Sequence, residues 1–196
     1  MIFEVIKLMS EELKAYIAPL AEQTLVEIGS IANMVNTPND TILLSLVNVE
    51  EETALRNMPP PFQHNAAGNL ERKQPPVFLN LYVMVAANFS TDANYETALR
   101  RLGRVVQCFQ RKTIYTVANT PNVFLPAEAA TLKVTTELYS LTFEKLNQLW
   151  GTMGGKQIPS VVYKVRVVEE QAEMRLPEGP AVMTVEGQFT QFSPSS

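Results

Sequence analysis

The sequence predicts an α+β fold: a single domain in which a mixed, largely antiparallel sheet packs against about three helices, followed by an extended C-terminal arm. Apolar residues recur at three- and four-residue steps in three separate segments, as on the buried faces of helices. Alternating or wholly apolar runs, typical of strands, lie between them. The chain has 196 residues, 46% of them hydrophobic, which is enough for one core. We therefore expect a core domain over residues 1–168 and an acidic arm with a short strand over residues 169–196.

The first half of the chain predicts one helix, two strands and a long loop. The helix covers residues 2–20, and Pro19 helps to end it. The stretches TLVEIGSIA and TILLSLVNVEEE predict two strands, with turn-forming Asn, Pro and Asp residues between them. Residues 53–76 are rich in proline and amide side chains, which prevent regular hydrogen bonding. We expect a long surface loop there, of a length that suits an inter-subunit contact.

The second half begins with PPVFLNLYVMVAANF, which is so uniformly apolar that it predicts the central strand, covered on both faces. YETALRRLGRVVQCFQRK predicts the second helix, and TIYTV and TLKVTTEL predict two further strands. A third helix, TFEKLNQLWGTM, is expected to end at Gly154 and Gly155, and Pro159 prevents its resumption. SVVYKVRVV predicts the last core strand, in which Val161, Tyr163, Val165 and Val167 alternate with polar Lys164 and Arg166. The third helix carries one apolar stripe, which we expect to face the core with Trp150 as its anchor: Phe143, Leu146, Leu149, Trp150 and Met153.

Charge is divided unevenly along the chain. The net charge of -4 gives no global reason to bind nucleic acid, which requires a dense basic surface. Residues 1–76 contain 5 basic and 10 acidic side chains, residues 77–168 contain 10 and 5, and residues 169–196 contain 1 and 5. The acidic arm therefore follows a basic region, and in a head-to-tail ring it could lie on a neighbour's basic face.

The sequence offers few candidates for catalysis. The single histidine, His64, lies in the proline-rich loop and the single cysteine, Cys108, lies in the second predicted helix, so the sequence predicts neither a metal cluster nor a Cys-His dyad. Cys108 has the spacing of a small buried residue. GTMGGKQ differs from a phosphate-binding loop, because Gln157 follows Lys156 and because the order is helix then strand. We predict no catalytic, cofactor-binding or metal-binding residues, and we do not expect an enzyme.

Three groups of residues are candidates for an interface. The acidic group lies at the end of the second predicted strand: Glu50, Glu51 and Glu52, with Arg56. The basic group covers the polar face and C-terminal end of the second helix: Arg100, Arg101, Arg104 and Arg111. The arm group lies on the predicted strand AVMTVEGQFTQF: Val182, Val185, Phe189 and Phe192. A solvated surface is the simpler interpretation of both charged groups, whereas the arm strand could pair with an exposed sheet edge.

Four stretches together resemble a known family. They are LVNVEEETALRN, PPVFLNLYVMVAANF, YETALRRLGRVVQCFQRK and ELYSLTFEKLNQLWGTMGGKQIPSVVYKVRVV. In this order they are similar to the amino-terminal domain of the cap, or tail-terminator, proteins of phage-tail-like extracellular contractile injection systems of the antifeeding-prophage and virulence-cassette type. The similarity covers residues 2–168, and the last stretch is the most specific.

This resemblance implies a structural role and a set of partners. It implies a hexameric ring on the distal end of the inner tube and contractile sheath, which ends their growth and couples sheath to tube. The implied partners are further copies of the chain, the tube protein and the sheath protein. The family offers no catalytic residues to transfer to this sequence.

Two other functions remain open at this stage, as does the location of the protein. The chain could be another ring-forming connector of the same particle, at the tube or baseplate, or a stand-alone peptide-binding module. Charged residues interrupt its first turns and it has no long apolar stretch, so we predict neither a signal peptide nor insertion into a membrane. We expect cytoplasmic synthesis followed by incorporation into an injection particle, whether released or cell-anchored.

Overall fold

The computed structural model describes residues 1–20, 25–36, 40–52, 62–64, 70–72, 77–89, 94–154 and 157–169. The helices are α1 (Ile2–Ile17), α2 (Tyr95–Arg111) and α3 (Phe143–Thr152). The strands are β1 (Leu25–Ile28), β2 (Thr41–Glu51), β3 (Phe62–His64), β4 (Leu70–Arg72), β5 (Val77–Asn88), β6 (Ile114–Thr116), β7 (Lys133–Tyr139) and β8 (Ser160–Glu169). The chain divides into two compact units, residues 1–58 with 76–172 and residues 59–75 with 173–196.

Six strands of the first unit form one sheet, in the order β1-β2-β5-β8-β7-β6. β1 runs parallel to β2, and the other neighbouring strands are antiparallel. The prediction of a mixed, largely antiparallel sheet is therefore confirmed. β5 lies inside the sheet, between β2 and β8, as its uniformly apolar sequence predicts.

One face of this sheet, which we call the apolar face, is covered by α1 and α2. The strand residues on it are Ile42, Leu44, Leu81, Val83, Val85, Val134, Tyr163, Val165 and Val167. The alternation predicted for β8 is confirmed, because Tyr163, Val165 and Val167 are buried here. From α1 and α2 the apolar face receives Val5, Leu8, Met9, Leu13, Val105, Cys108 and Phe109. Full burial stabilises the fold by about 1.5–3 kcal/mol for each large side chain, so this face is the main apolar core.

The opposite face, which we call the α3 face, has a smaller core beneath α3. Trp150 is buried there with Leu43, Met84, Ala86 and Val162, which confirms the prediction that Trp150 anchors the helix to the core. The Thr142 hydroxyl accepts a hydrogen bond from the Lys145 amide (3.3 Å) and caps the start of α3.

Two features of α3 test the sequence prediction of its ends and its buried stripe. Gly154 has a φ of 104°, a conformation that favours glycine, and Gly155 lies outside the described residues. The inclusion of Phe143 in the buried stripe is wrong, because Phe143 is 91% exposed. The stripe contacts the sheet only from Leu146 onward, so the first helical residue projects beyond the core.

The second unit contains a short hairpin within the predicted loop of residues 53–76. β3 and β4 pair in antiparallel register, with Phe62 opposite Arg72 and His64 opposite Leu70. The expectation that this segment lacks regular hydrogen bonding is therefore wrong over these six residues. Its prolines precede β3 and follow β4, which leaves both strands free to pair. The arm beyond Glu169 lies outside the described residues.

Candidate assembly surface

The described residues do not bring together a group suited to metal binding. Among them, no three His, Cys, Asp or Glu side chains are placed to hold a metal ion. Cys108 is 1% exposed, and burial raises the pKa of its thiol to about 12, so it is a structural residue at neutral pH. In the same described ranges, no helix has the length and apolarity to cross a membrane.

Beyond α3, the α3 face becomes polar. A bulge between Leu46 and Asn48 shifts the register of β2 against β5. The pairing then aligns two rows of side chains across β2, β5, β8 and β7. One row is Asn48, Tyr82, Lys164 and Glu137; the other is Glu50, Asn80, Arg166 and Thr135. We call these eight residues, with Glu52 at the end of β2, the polar half-face.

The acidic side of the polar half-face is organised by hydrogen bonds to Glu50 and Glu52. The Tyr82 hydroxyl donates to Glu50 Oε2 (2.9 Å) and Asn48 Nδ2 donates to Glu50 Oε1 (3.2 Å). Asn80 Nδ2 donates to Glu52 Oε2 at 2.9 Å. These contacts fix two carboxylates that sequence analysis treated as the solvated end of a strand.

The basic side of the polar half-face consists of Lys164 and Arg166 on β8. Lys164 Nζ lies 3.9 Å from Glu52 Oε2, and Arg166 Nη2 lies 3.4 Å from Glu137 Oε2. Arg166 and Glu137 are both half exposed, so solvent screens this pair and it contributes little to stability. The charges therefore alternate in sign across the sheet, from Glu50 and Glu52 through Lys164 and Arg166 to Glu137.

A cleft of about 170 Å³ separates the polar half-face from α3. Its lining combines apolar, aromatic and charged side chains: Val47, Asn48, Glu50, Tyr82, Tyr139, Leu141, Lys145, Leu149 and Val162. The Tyr82 and Tyr139 rings pack edge to face at 5.0 Å. Burial, and secondly the hydrogen bond to Glu50, raises the pKa of Tyr82 to about 12, so Tyr82 remains a neutral donor at neutral pH.

The predicted acidic group is only partly placed by the structure. Glu50 and Glu52 lie on the polar half-face, whereas Glu51 pairs with Leu79 and points to the other side of β2, since side chains alternate along a strand. Arg56 lies outside the described residues. The partners observed for Glu50 and Glu52 include Tyr82 and Asn80, which are more than 25 positions away in sequence.

The predicted basic group is divided by the structure into exposed, buried and paired residues. Arg100 is exposed and lies 3.9 Å from Glu96, and Arg104 donates to Gln107 (3.1 Å). Arg101 is only 9% exposed, so its assignment to the polar face is wrong. It shares the buried stripe of Ala98 and Val105, three and four residues away, which is the spacing of one helical face.

Arg111 belongs to a cluster that connects the ends of α2 and α1. Its guanidinium lies 3.8 Å from Glu12 Oε1 and 5.1 Å from the centre of the Tyr16 ring. Lys112 Nζ lies 2.6 Å from Glu12 Oε2 and also donates to the Asn119 carbonyl. Glu12 is 4% exposed, and sequence analysis missed this cluster because its members are about 100 residues apart.

The arm group could not be placed. Val182, Val185, Phe189 and Phe192 lie outside the described residues, so their assignment to an interface stays a prediction. The same holds for the predicted strand that contains them.

Comparison with known proteins identifies both a family and a fold. A family model described as the Pvc16 N-terminal domain matches residues 4–184. The sheath/tube terminator of the extracellular contractile injection system PVC, in its extended state, has a similar structure, with a TM-score of 0.65 and 18% sequence identity. The tube-terminating cap of the anti-feeding prophage AFP gives a TM-score of 0.62 and 14% identity. No curated protein matches the sequence significantly.

The two structural matches cover most of this chain but only part of the other proteins. They cover 100% and 92% of this chain, against 65% of the PVC terminator and 58% of the AFP cap. The chain thus spans less than two thirds of the length of either protein. The predicted terminator-like α+β fold is confirmed by these matches.

Proposed function

This chain belongs to the Pvc16 N-terminal domain family, and on that premise we propose that it is a structural cap of a contractile injection particle. It forms a ring at the distal end of the inner tube and sheath, stops their growth and holds the sheath to the tube. The observation that carries this proposal is the pair of terminator structures whose fold it shares. In this proposal the chain has no catalytic role.

The charged surfaces of the first unit support a ring with head-to-tail contacts. Such a ring requires two different, complementary patches on each subunit. The α2 surface provides exposed Arg100 and partly exposed Arg104, and the polar half-face provides Glu50 and Glu52. We propose that the arginines of one subunit face the carboxylates of the next, because opposite charges orient partners and exclude wrong registers.

The tube and sheath proteins are the proposed external partners of the ring. The helix-covered apolar face buries a continuous core within one chain, which leaves the other surfaces of the subunit for these contacts. The hexameric state and the faces that contact each partner belong to the proposal.

The decisive experiment measures particle length with and without the chain. Tube and sheath proteins of one particle are produced together with the wild-type chain, without it, or with the Arg100→Glu/Arg104→Glu variant, and lengths are measured by electron microscopy. We expect uniform lengths with the wild-type chain and long, variable tubes in the other two cases. Identical length distributions with and without the chain would refute termination, and a normal distribution with the variant would refute the α2 contact alone.

A second electron micrograph separates the cap from another ring-forming connector. The chain is labelled at its N-terminus with a tag visible by gold binding, and intact particles are imaged. The cap proposal predicts label at the end opposite the baseplate. Label at the baseplate would show a connector, and a stable monomer that never joins particles would favour a peptide-binding module.

A further inference from the structure

The two edges of the six-stranded sheet differ in whether their outer backbone groups have partners. At the β6 edge, the Asn119 side chain accepts a hydrogen bond from the Thr116 amide (2.9 Å) and donates to the Ile114 carbonyl (3.2 Å). One side chain therefore occupies the outward groups of this strand. Covering an edge in this way prevents it from pairing with another chain.

The β1 edge has no such cover among the described residues. The Gly29 amide donates to the Leu44 carbonyl of β2 at 3.0 Å, and backbone groups of alternate residues point to the same side of a strand. Glu27 therefore faces β2, and the amide and carbonyl groups of Val26 and Ile28 point outward. Among the backbone–backbone hydrogen bonds of the described residues, none involves these outward groups.

The side chains of β1 add an apolar contribution to this open edge. Leu25 is 51% exposed and Ile28 is 37% exposed. Exposed backbone donors and acceptors next to apolar side chains are the features that an added strand recognises: the backbone provides affinity, and alternate side chains provide specificity.

We propose, on the basis of the cap function proposed above, that the β1 edge receives the arm strand of the neighbouring subunit, residues 181–192. This segment reads AVMTVEGQFTQF. Met183, Val185 and Phe189 fall on one side of an extended chain and Thr184, Glu186 and Gln188 on the other, which is the alternation of a half-buried strand. Proline is absent from the segment, so its amides are free to pair.

The length of the connection favours a neighbour over the same subunit. The core strand β8 ends at Glu169, opposite Val77, whereas Ile28 is aligned through Leu44 with Val85. Three inter-strand steps of about 4.8 Å and eight residues of rise give a separation of about 30 Å along the sheet. The eleven residues before Ala181 span at most about 40 Å, so reaching the same subunit's edge would use at least about three quarters of the fully extended length, before any detour around its helices. In the proposed ring each arm also has a neighbour's β1 edge as a possible partner, and the cross-linking experiment below distinguishes the two edges.

Mixed disulfide cross-linking tests this pairing directly. One version of the full chain carries Ile28→Cys and a second, differently tagged version carries a cysteine at position 183, 185, 187 or 189. The two are mixed, assembled into rings on tubes and oxidised. Because native Cys108 is 1% exposed, we expect it not to react. We expect a cross-link between the two versions in at least one combination.

The opposite edge provides the matched control. Ile114 lies on β6 and is 45% exposed, so Ile114→Cys offers a thiol of similar accessibility beside an edge that Asn119 covers. We expect at least a tenfold lower cross-linking yield at Ile114→Cys than at Ile28→Cys. Two proline variants give the same comparison without cysteine. Ile28→Pro and Ile114→Pro each remove an outward amide from one of the two edge strands. We expect only Ile28→Pro to reduce ring formation.

The possible outcomes separate this inference from the proposed function. If rings assemble but Ile28→Cys gives no cross-link, or gives no more than Ile114→Cys, the arm does not bind β1 and the cap function is unaffected. If a chain carrying both cysteines cross-links only within itself, the arm occupies its own subunit and the inference is wrong. If the wild-type chain forms no rings on tubes at all, the cap function fails and this inference fails with it.

Discussion

The two faces of the six-stranded sheet differ in what covers them and in their polarity. The apolar face is covered along its length by α1 and α2 and has a continuous core. The α3 face has a small core beneath Trp150 and then changes to the polar half-face, with alternating carboxylates and cations. We therefore expect substitutions on the apolar face to lower mainly the free energy of unfolding. Under the proposed function, we expect substitutions on the polar half-face to affect mainly assembly.

The largest expected effect is on the apolar face. Leu13 is fully buried there, and Leu13→Ala should lower the free energy of unfolding by about 2–5 kcal/mol through lost transfer energy and a cavity. Leu138→Ala removes the same atoms from a side chain that is 52% exposed. It should lower the free energy of unfolding by only about 0.5 kcal/mol. Urea denaturation of both variants measures these two losses of free energy of unfolding. Equal losses would show that burial does not distinguish the two positions.

The Glu12 cluster should have the next largest effect. Glu12→Gln keeps the size of the side chain but removes the buried charge that faces Lys112 at 2.6 Å. Breaking a fully buried pair costs about 3–5 kcal/mol; because Lys112 is 22% exposed, we expect about 2 kcal/mol. Glu137→Gln on the polar half-face is the matched control, since its partner Arg166 is half exposed. A loss for Glu137→Gln as large as that for Glu12→Gln would contradict the comparison.

The hydrogen bond between Tyr82 and Glu50 should have a moderate, pH-dependent effect. Tyr82→Phe keeps the ring contact with Tyr139 and should lower the free energy of unfolding by about 0.5–1.5 kcal/mol at pH 8. The pKa of Tyr82 is about 12 in the folded protein against an ordinary value of 10.0. Because this pKa is raised, the associated stability is fully present below pH 10 and is lost as the pH rises through 12. The difference in free energy of unfolding between wild type and Tyr82→Phe should therefore shrink between pH 10 and pH 12. A difference that stays constant over this range would show that it comes from packing and not from the ionisable hydroxyl.

The smallest effect on stability, and the clearest effect on assembly, should come from Lys164 and Arg166. Lys164→Glu/Arg166→Glu removes two partly exposed ion pairs, each worth about 0–1 kcal/mol, and places two further carboxylates on the polar half-face. Size-exclusion chromatography with light scattering, performed with tube present, should show loss of rings while the midpoint of thermal unfolding shifts by only a few degrees. Intact rings would show that the polar half-face is not part of the proposed interface.

The sequence predicted the elements of this fold better than their contacts. Trp150 and Cys108 were placed correctly in the core because helical spacing is a local property, and the apolar β5 revealed the centre of the sheet. Arg101 and Phe143 were misplaced because helical spacing does not show which turn of a helix meets the sheet. The hairpin β3–β4 was missed because proline content was averaged over the whole segment, although both strands are free of proline.

Contacts between distant residues could not be predicted from the sequence. Glu50 was recognised as a candidate, but Tyr82 was not recognised as its partner, since the register of β2 against β5 depends on the bulge after Leu46. The closed β6 edge depends on Asn119, whose side chain returns to Ile114 and Thr116. Only the arrangement of strands shows that β1 and β6 are the two edges and that they differ.

A reconstruction of the distal end of a particle assembled with this chain tests the central claim most directly. The account predicts a closed ring of this chain at the end of the tube and sheath, with the apolar face buried inside each subunit and the polar half-face at a subunit boundary. A tube end without density for the chain, or a ring in which the polar half-face contacts only solvent, would contradict it.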